Sequence, residues 1–177
     1  MTHSIAFCGV DKAGKTTLIN KVCKRFSDNG WKWERYHQNK IMKKFYRHQH
    51  SRAWEWLNYL ELRYRNWRWR HININLILDR CYICALVYSN LEGFPDIAHR
   101  IKKYALKPDI IILIEPVEEI VPHAYGFTRE YKKILMEEEY EMFKKGSHLF
   151  GRITFWKLPE VDITPPLNAA IEVINAI

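Results

Sequence analysis

The sequence predicts an α/β fold in which a five-stranded parallel sheet lies between two layers of helices. Five short apolar runs alternate with segments of helical spacing, an order that is typical of parallel strands joined by crossover helices. The first run leads directly into a glycine-containing loop and then a helix. The length of 177 residues suits one domain with one hydrophobic core. We therefore expect a single three-layer αβα domain over residues 1–177.

The expected strands are short apolar runs that are bounded by turn or helix-breaking residues. The first ends in Gly9, and the fourth follows Pro108. The five runs span residues 4–9, 31–36, 75–79, 109–115 and 153–158. The second differs from the others because its polar and apolar residues alternate.

Helices are expected in the connections between these strands. In the first connection, Leu18, Ile19, Val22 and Phe26 recur at the spacing of one helical face. The expected helical segments are residues 15–26, much of 38–70, the segments that follow Cys81 and Pro95, residues 130–145, and a last helix from Thr164 to about residue 174.

Positive charge is concentrated in the first part of the chain. The net charge is +8, from 28 Lys and Arg against 20 Asp and Glu. Residues 1–71 contain 16 basic and 5 acidic residues, or +11, whereas the remainder contains 12 and 15, or −3. The concentration of positive charge favours an anionic partner such as a nucleotide, a nucleic acid or phosphate. The alternative is that the basic helices only keep the protein soluble.

Several classes of protein are excluded or disfavoured. The longest apolar run, residues 110–114, is too short to span a bilayer, and the first residues lack the apolar region of a signal peptide. We therefore expect a cytoplasmic protein without membrane contact. Cys81 and Cys84 have no second pair and no His at zinc-ligand spacing, so packed small residues are favoured over a redox pair.

Residues 9–16, GVDKAGKT, match the pattern G-x-x-x-x-G-K-[ST] in full, between an expected strand and an expected helix. Glycines let backbone N–H groups surround an anion, and the helix N-terminus adds a favourable dipole. Lys15 supplies charge for the outer phosphates, and the Thr16 hydroxyl can bind Mg²⁺. The residues expected to bind the nucleotide are Gly9, Lys12, Ala13, Gly14, Lys15, Thr16 and Thr17. The pattern predicts binding of a nucleoside triphosphate without naming the reaction.

Asp79 and Arg80 form a second motif that indicates a nucleotide site. Asp79 ends the apolar run LILD, and Arg80 follows it directly. In proteins with this phosphate loop, an Asp at the end of a buried strand serves the metal or its water shell. The neighbouring Arg can hold a phosphate through two parallel hydrogen bonds. The alternative is a structural Asp–Arg pair at the start of the next helix.

With both motifs in place, the chain resembles the thymidylate kinases, a family of P-loop nucleoside monophosphate kinases. Residues 7–17 are similar to that family's F-E-G-x-D-x-x-G-K-[ST]-[ST], including the Asp inside the loop. Asp79–Arg80 matches D-R-[YFH], and residues 107–109 match [KR]-P-D. Residues 125–131 and 162–171 are similar to the family's lid and closing segment. The resemblance implies the P-loop kinase fold, with ATP and Mg²⁺ as cofactors.

The resemblance also implies roles on the donor side. Lys15 and the loop would hold the donor phosphates, Thr16 and Asp79 would hold the metal, and Asp11 would approach the acceptor sugar. Arg80 would lie between the donor and acceptor phosphates. The residues assigned to catalysis are Asp11, Lys12, Lys15, Arg80 and Arg129, with Lys12 at a position that is basic in the eukaryotic-like subtype.

On the acceptor side, Tyr59-x-x-x-Arg63 matches the family's Phe-x-x-x-Arg, in which the ring stacks on the acceptor base and the Arg hydrogen-bonds it. Tyr88 falls at the position of a second aromatic beside that base, and Tyr36 is also assigned to the acceptor. The acceptor-binding helices would span about residues 38–71, and a short lid would span about residues 122–130.

The chain departs from the family at four places, one of which is the short connection between Arg63 and Asp79. Cys8 replaces a Glu near the metal, and Pro122 stands where an Arg usually faces the adenine. Residues 35–39, RYHQN, stand where the family has R-F-P-x-R, so the Arg that grips the acceptor phosphate is missing. The candidates to replace it are Lys40, Lys43 and Lys44. These changes leave phosphoryl transfer in place but weaken the prediction of the acceptor.

Residues 44–71 interleave Arg with Trp and Tyr, a mixture that suits stacking on bases and pairing with phosphates. A helix over residues 51–70 would place Trp56, Tyr59, Arg63 and Trp67 near one face, where they would line the acceptor pocket. Contact between this segment and DNA is the alternative.

Three functions follow from these observations. The first is transfer of the γ-phosphoryl group of ATP to a pyrimidine deoxynucleoside monophosphate, with dTMP favoured, or to another dNMP. The second is phosphorylation of a hydroxymethylated pyrimidine nucleotide within DNA, which the missing Arg favours and Asp11 disfavours. The third is a nucleotide-binding regulator without turnover, which is disfavoured by the intact Lys15, Thr16, Asp79 and Arg80. Monomer and homodimer stay open.

Overall fold

The computed structural model describes residues 4–9, 15–26, 51–71, 75–116, 130, 133–135, 137–138, 140–142 and 152–158. These residues contain four strands, which form one parallel sheet in the order β2-β1-β3-β4. The strands are β1 (Ser4–Cys8), β2 (Leu76–Asp79), β3 (Ile110–Pro116) and β4 (Arg152–Leu158).

Four helices join these strands within the described residues. They are α1 (Lys15–Phe26), α2 (Arg52–Arg70), α3 (Tyr82–Leu91) and α4 (Pro95–Tyr104). The described residues between 130 and 142 are helical as well. None of the described helices is long and apolar enough to cross a membrane.

Both faces of β1 are covered. Ile5, Ala6, Phe7 and Cys8 are each fully buried, and successive side chains of a strand point to opposite faces of the sheet. A strand that is apolar on both sides needs a layer of structure on each side, as the continuous apolar run predicts. At about 25 cal/mol per Å² of buried apolar surface, this central strand is a main source of stability.

The motif Lys107-Pro108-Asp109 has a structural role at the amino ends of the strands. The Asp109 carboxylate accepts hydrogen bonds from the Ser4 backbone N–H at 2.7 Å and from the Ser4 hydroxyl at 2.9 Å. These bonds tie the start of β3 to the start of β1. Asp109 therefore lies at the edge of the sheet opposite to the phosphate loop.

Most sequence-based predictions of secondary structure are confirmed where the structure describes the chain. The first helix has the expected bounds, and three further strands begin within one residue of the predicted positions. The predicted strand over residues 31–36 lies outside the described residues, so the five-stranded sheet stays a prediction. The first part of the acceptor segment, the lid before residue 130 and the last helix also lie outside them.

Candidate active site

The phosphate-loop motif and the Asp–Arg motif meet at one edge of the sheet. Phe7 of β1 pairs with Asp79 of β2, so the carboxyl ends of these adjacent parallel strands lie side by side. The Arg80 backbone N–H donates to the Phe7 carbonyl at 2.8 Å and continues this pairing. Helix α1, which begins at Lys15, packs against both strands. The two motifs therefore share one site.

Gly9 is required by the geometry of the turn that leaves β1. Its φ of +130° is a conformation that residues with a side chain rarely adopt. A Cβ at this position would lie 2.2 Å from the Ile114 carbonyl oxygen of β3. The absence of a side chain thus lets the backbone turn into the phosphate loop directly against the neighbouring strand.

The charged groups at this edge are removed from solvent. Lys15 is 6% exposed and Asp79 is 5% exposed, while Thr16 and Thr17 in the first turn of α1 are open to solvent. Charged residues are rarely this buried unless they have partners, and both residues make further interactions. Such an arrangement can hold phosphate oxygens beside Lys15 and a divalent cation between Thr16 and Asp79.

Thr16 and Asp79 suit a Mg²⁺ ion that binds together with the nucleotide. In the part of the chain that the structure describes, no three His, Cys, Asp or Glu residues are grouped to hold a metal by themselves. Mg²⁺ in nucleotide sites usually takes one or two protein ligands and completes its shell with phosphates and water. A hydroxyl from Thr16 and a carboxylate from Asp79 are a donor set of this kind.

Three cysteines lie under this edge. The sulfur of Cys8 is 3.2 Å from that of Cys81, and both residues also interact with Cys84. Burial raises the pKa of the Cys8 and Cys81 thiols. Hydrogen bonds from these two thiols, with a smaller effect of the Arg80 charge, lower the pKa of Cys84. The prediction that Cys81 and Cys84 are packed small residues thus omits their contact with Cys8.

On the acceptor side, Tyr59 and Arg63 point the same way, as their spacing predicts, and both meet Tyr104 at the end of α4. Tyr59 is 2% exposed, and its ring lies edge-on to the rings of Trp56 at 5.4 Å and Tyr104 at 6.5 Å. The exposed Arg63 guanidinium lies over the Tyr104 ring, 5.6 Å from its centroid. Their assignment to the acceptor base stays a prediction.

Trp67 does not share the buried face of Tyr59. It is 60% exposed, and its ring lies 5.1 Å from that of His71. Trp67 lies eight positions after Tyr59. At about 100° per residue, its side chain therefore points roughly 80° away from that of Tyr59. Together with Leu57, Leu60 and Tyr64, Trp67 forms an exposed stripe along α2.

A buried polar link between α2 and α3 was not predicted from the sequence. The Ser89 hydroxyl donates to the Glu55 carboxylate at 2.5 Å, and both residues are buried. Tyr88, a predicted acceptor residue, immediately precedes Ser89 and is half-buried. The only sequence signal for this link is an acidic residue on the apolar face of α2, and that signal does not reveal the partner.

Several predicted site residues lie outside the described part of the chain. They are Asp11, Lys12, Ala13, Gly14, Tyr36 and Arg129. Their roles stay predictions, as do the lysines proposed to replace the missing acceptor-phosphate Arg.

The edge formed by β1, β2 and α1 is that of a P-loop kinase. The chain matches the family model described as thymidylate kinase over residues 7–155, and it belongs to that family. It is thus a phosphotransferase of the nucleoside monophosphate kinase class, which binds ATP through its phosphate loop. Among curated protein sequences, no relative matches the chain.

Solved structures share the fold at low sequence identity. A thymidylate kinase from Candida albicans has a TM-score of 0.71 and 13% identity, covering 99% of this chain and 92% of that chain. A thymidylate kinase from Ehrlichia chaffeensis has a TM-score of 0.67 and 17% identity, covering 99% and 98%. A deoxyadenosine kinase from M. mycoides, with the products dCMP and dCDP bound, has a TM-score of 0.69 and 15% identity, covering 98% and 100%.

Proposed function

We propose that this protein transfers the γ-phosphoryl group of ATP to a pyrimidine deoxynucleoside monophosphate, with dTMP as the preferred acceptor. The observation that carries the proposal is the position of Lys15 and Asp79, both buried at the same edge of the sheet, where β1 turns through Gly9 into the phosphate loop. Buried charges at a loop of this type are suited to stabilise the transferring phosphoryl group.

On the donor side, Lys15 neutralises charge on the outer phosphates of ATP. Thr16 and Asp79 would hold a Mg²⁺ ion, which would supply further positive charge to the phosphates. Arg80 lies beside Asp79 with φ of 76°, a conformation that turns the backbone sharply at the end of β2. It contributes positive charge between donor and acceptor. Catalysis then consists of positioning and charge neutralisation, with no covalent step on the protein.

The remaining catalytic roles fall to residues of the loop and the lid. Asp11 approaches the sugar of the acceptor, and Lys12 supplies positive charge to the transition state. Arg129 is the lid residue available for the same purpose. These assignments rest on the family motif, in which the corresponding positions have these functions.

On the acceptor side, Tyr59, Arg63, Tyr88 and Tyr36 select the base. An Arg can only donate hydrogen bonds, so Arg63 favours thymine, which has a carbonyl oxygen at position 4, over cytosine, which has an amino group there. The contact of the Arg63 guanidinium with the Tyr104 ring supports this role, because it holds the side chain in one orientation.

A second candidate acceptor is a deoxynucleoside rather than its monophosphate. Two observations favour it: residues 35–39 lack the Arg that would grip an acceptor phosphate, and a deoxyadenosine kinase is among the similar structures. A hydroxymethylated pyrimidine nucleotide within DNA, whose free hydroxyl could accept the phosphoryl group, is a third acceptor, which the exposed Arg63, Arg68 and Arg70 of α2 favour.

The experiment that tests the proposal is a transfer assay with ATP labelled at the γ-phosphate. The acceptors are dTMP, dCMP, dAMP, thymidine, deoxycytidine, deoxyadenosine, and single-stranded and double-stranded DNA with and without hydroxymethylated pyrimidines. We expect label on dTMP with the highest kcat/KM, and Lys15→Ala as the negative control should give none above background. Label only on nucleosides would replace the proposal by the second candidate, and label only on DNA by the third.

A further inference from the structure

Three thiols from separate parts of the chain form one buried cluster. Cys8 ends β1, Cys81 precedes α3, and Cys84 lies in the first turn of α3. The Cys8 and Cys81 sulfurs are 3.2 Å apart, although 73 positions separate these residues in the chain. A disulfide bond needs about 2.05 Å, so a sulfur movement of roughly 1.2 Å would close the pair. All four cysteines are free, and Cys23 lies outside the cluster in α1.

The cluster adjoins the site for the donor phosphates. Cys8 immediately precedes Gly9, whose backbone packs so closely against the Ile114 carbonyl that a Cβ would lie 2.2 Å from its oxygen. Cys81 follows Asp79 and Arg80, and the Arg80 N–H is bonded to the Phe7 carbonyl. The backbone is therefore fixed at Gly9, next to Cys8, and at Arg80, next to Cys81, so it has little room to absorb a movement of the sulfurs.

We propose that this cluster is an oxidative modification site, in which a peroxide converts Cys8 and Cys81 into a disulfide that weakens nucleotide binding. Cys81 takes the first oxygen because it is the most exposed of the three thiols, at 6% against 2% for Cys84 and 0% for Cys8. Its sulfur attacks one oxygen of the peroxide, the O–O bond breaks, and a sulfenic acid and one water result. The Cys8 sulfur then attacks the Cys81 sulfur, the S–S bond forms, and the hydroxyl leaves with the Cys8 proton as a second water.

In balance, two thiols and one hydrogen peroxide give one disulfide and two waters. The bond would tie the end of β1 to the start of α3. Drawing the two sulfurs together displaces Gly9 or Arg80, which frame the phosphate loop and the Asp79 carboxylate. A thiol reductant breaks the bond and restores the site, because thiol–disulfide exchange is reversible.

The test uses the fully reduced protein, treated with hydrogen peroxide and then alkylated under denaturing conditions. Peptide mass spectrometry without reduction identifies the linked cysteines, and titration with a fluorescent ATP analogue and Mg²⁺ gives the dissociation constant. We expect a disulfide between Cys8 and Cys81, an alkylated Cys23, and a dissociation constant at least tenfold higher than that of the reduced protein. Treatment with dithiothreitol should restore the original value, and a disulfide between Cys8 and Cys84 would contradict the proposal. Neither readout depends on which acceptor the protein phosphorylates.

Two variants complete the test. Cys81→Ser should bind the nucleotide equally well before and after peroxide, whereas Cys23→Ser, which keeps the cluster, should respond like the unmodified protein. If Cys81→Ser does not fold, the disulfide linkage that mass spectrometry finds in peroxide-treated Cys23→Ser tests the proposal in its place. The proposal is overturned if Cys8 stays a free thiol, if the only disulfide joins Cys81 to Cys84, or if a Cys8 disulfide leaves nucleotide affinity unchanged.

Discussion

The edge of the sheet that holds the donor phosphates and the helix assigned to the acceptor differ in how their residues are fixed. At the edge, Asp79 is placed by the backbone pairing of β2 with β1, and Gly9 is placed by its close packing against Ile114 of β3. Both residues belong to local motifs. On α2, Tyr59 and Arg63 are placed by side-chain contacts with Tyr104, which belongs to a different helix. The donor edge is thus organised by the backbone, whereas the proposed base-binding side chains depend on contacts between two helices.

The first way to test this difference is Lys15→Ala, with Lys21→Ala as a matched control on the exposed face of the same helix. Loss of the buried charge should lower kcat by at least about 10²-fold, which corresponds to roughly 3 kcal/mol. Lys21→Ala should leave kcat within about twofold. Steady-state kinetics with dTMP checks both, and near-normal turnover of Lys15→Ala would refute the assignment of the phosphate loop.

The donor edge could be predicted from the sequence because its motif is contiguous. The positions from Gly9 to Thr16 encode a loop whose backbone does the binding, and Asp79 follows a continuous apolar run. The contact between Cys8 and Cys81 could not be predicted in the same way. It depends on β2 being the neighbour of β1 in the sheet, and the order of strands cannot be read from their order in the chain.

The acceptor side was less predictable for a related reason. Helical spacing correctly places Tyr59 and Arg63 on one side of α2. It does not identify their common neighbour, Tyr104, which lies 45 positions after Tyr59. Spacing also grouped Trp67 with Tyr59, although its angular offset leaves it exposed. The Ser89–Glu55 bond was missed because polar residues on an apolar face do not indicate which partner satisfies them.

A second test addresses the backbone of the donor edge through Gly9→Ala, with Gly93→Ala as the control. Gly9→Ala combines an unfavourable φ with a collision against Ile114, so it should lower the free energy of unfolding by at least about 2 kcal/mol. Gly93 also has a positive φ, but nothing lies within 4 Å of its added Cβ, so about 1 kcal/mol is expected. Urea unfolding measures both, and equal losses would show that the contact with Ile114 has no cost.

A third test concerns the acceptor base. Arg63→Ala should lower kcat/KM for dTMP and remove its preference over dCMP, which we expect to be about ten- to a hundredfold in the unmodified protein. Arg65→Ala is the comparison on the same helix, because Arg65 is paired with Glu61 at 2.7 Å. Competition between the two acceptors gives the ratio directly. Loss of the preference in Arg65→Ala alone would transfer base recognition to that residue.

The smallest expected effect is that of Ser89→Ala, which removes one hydrogen bond to the buried Glu55 carboxylate. We expect a decrease of about 1 kcal/mol in the free energy of unfolding, because other interactions of Glu55 remain. Asn90→Ala, at the exposed neighbouring position, should change it by less than about 0.5 kcal/mol. Thermal or urea unfolding distinguishes them, and an unchanged stability of Ser89→Ala would mean that this bond does not hold α2 against α3.

In the proposed mechanism, ATP is bound by residues at the edge of the sheet, and the acceptor is recognised by residues of α2. The most direct measurement is the dissociation constant of ATP with Mg²⁺, compared between Lys15→Ala and Arg63→Ala. We expect at least a tenfold increase for Lys15→Ala and no change for Arg63→Ala. An equal increase in both variants, or an increase in Arg63→Ala alone, would contradict this mechanism.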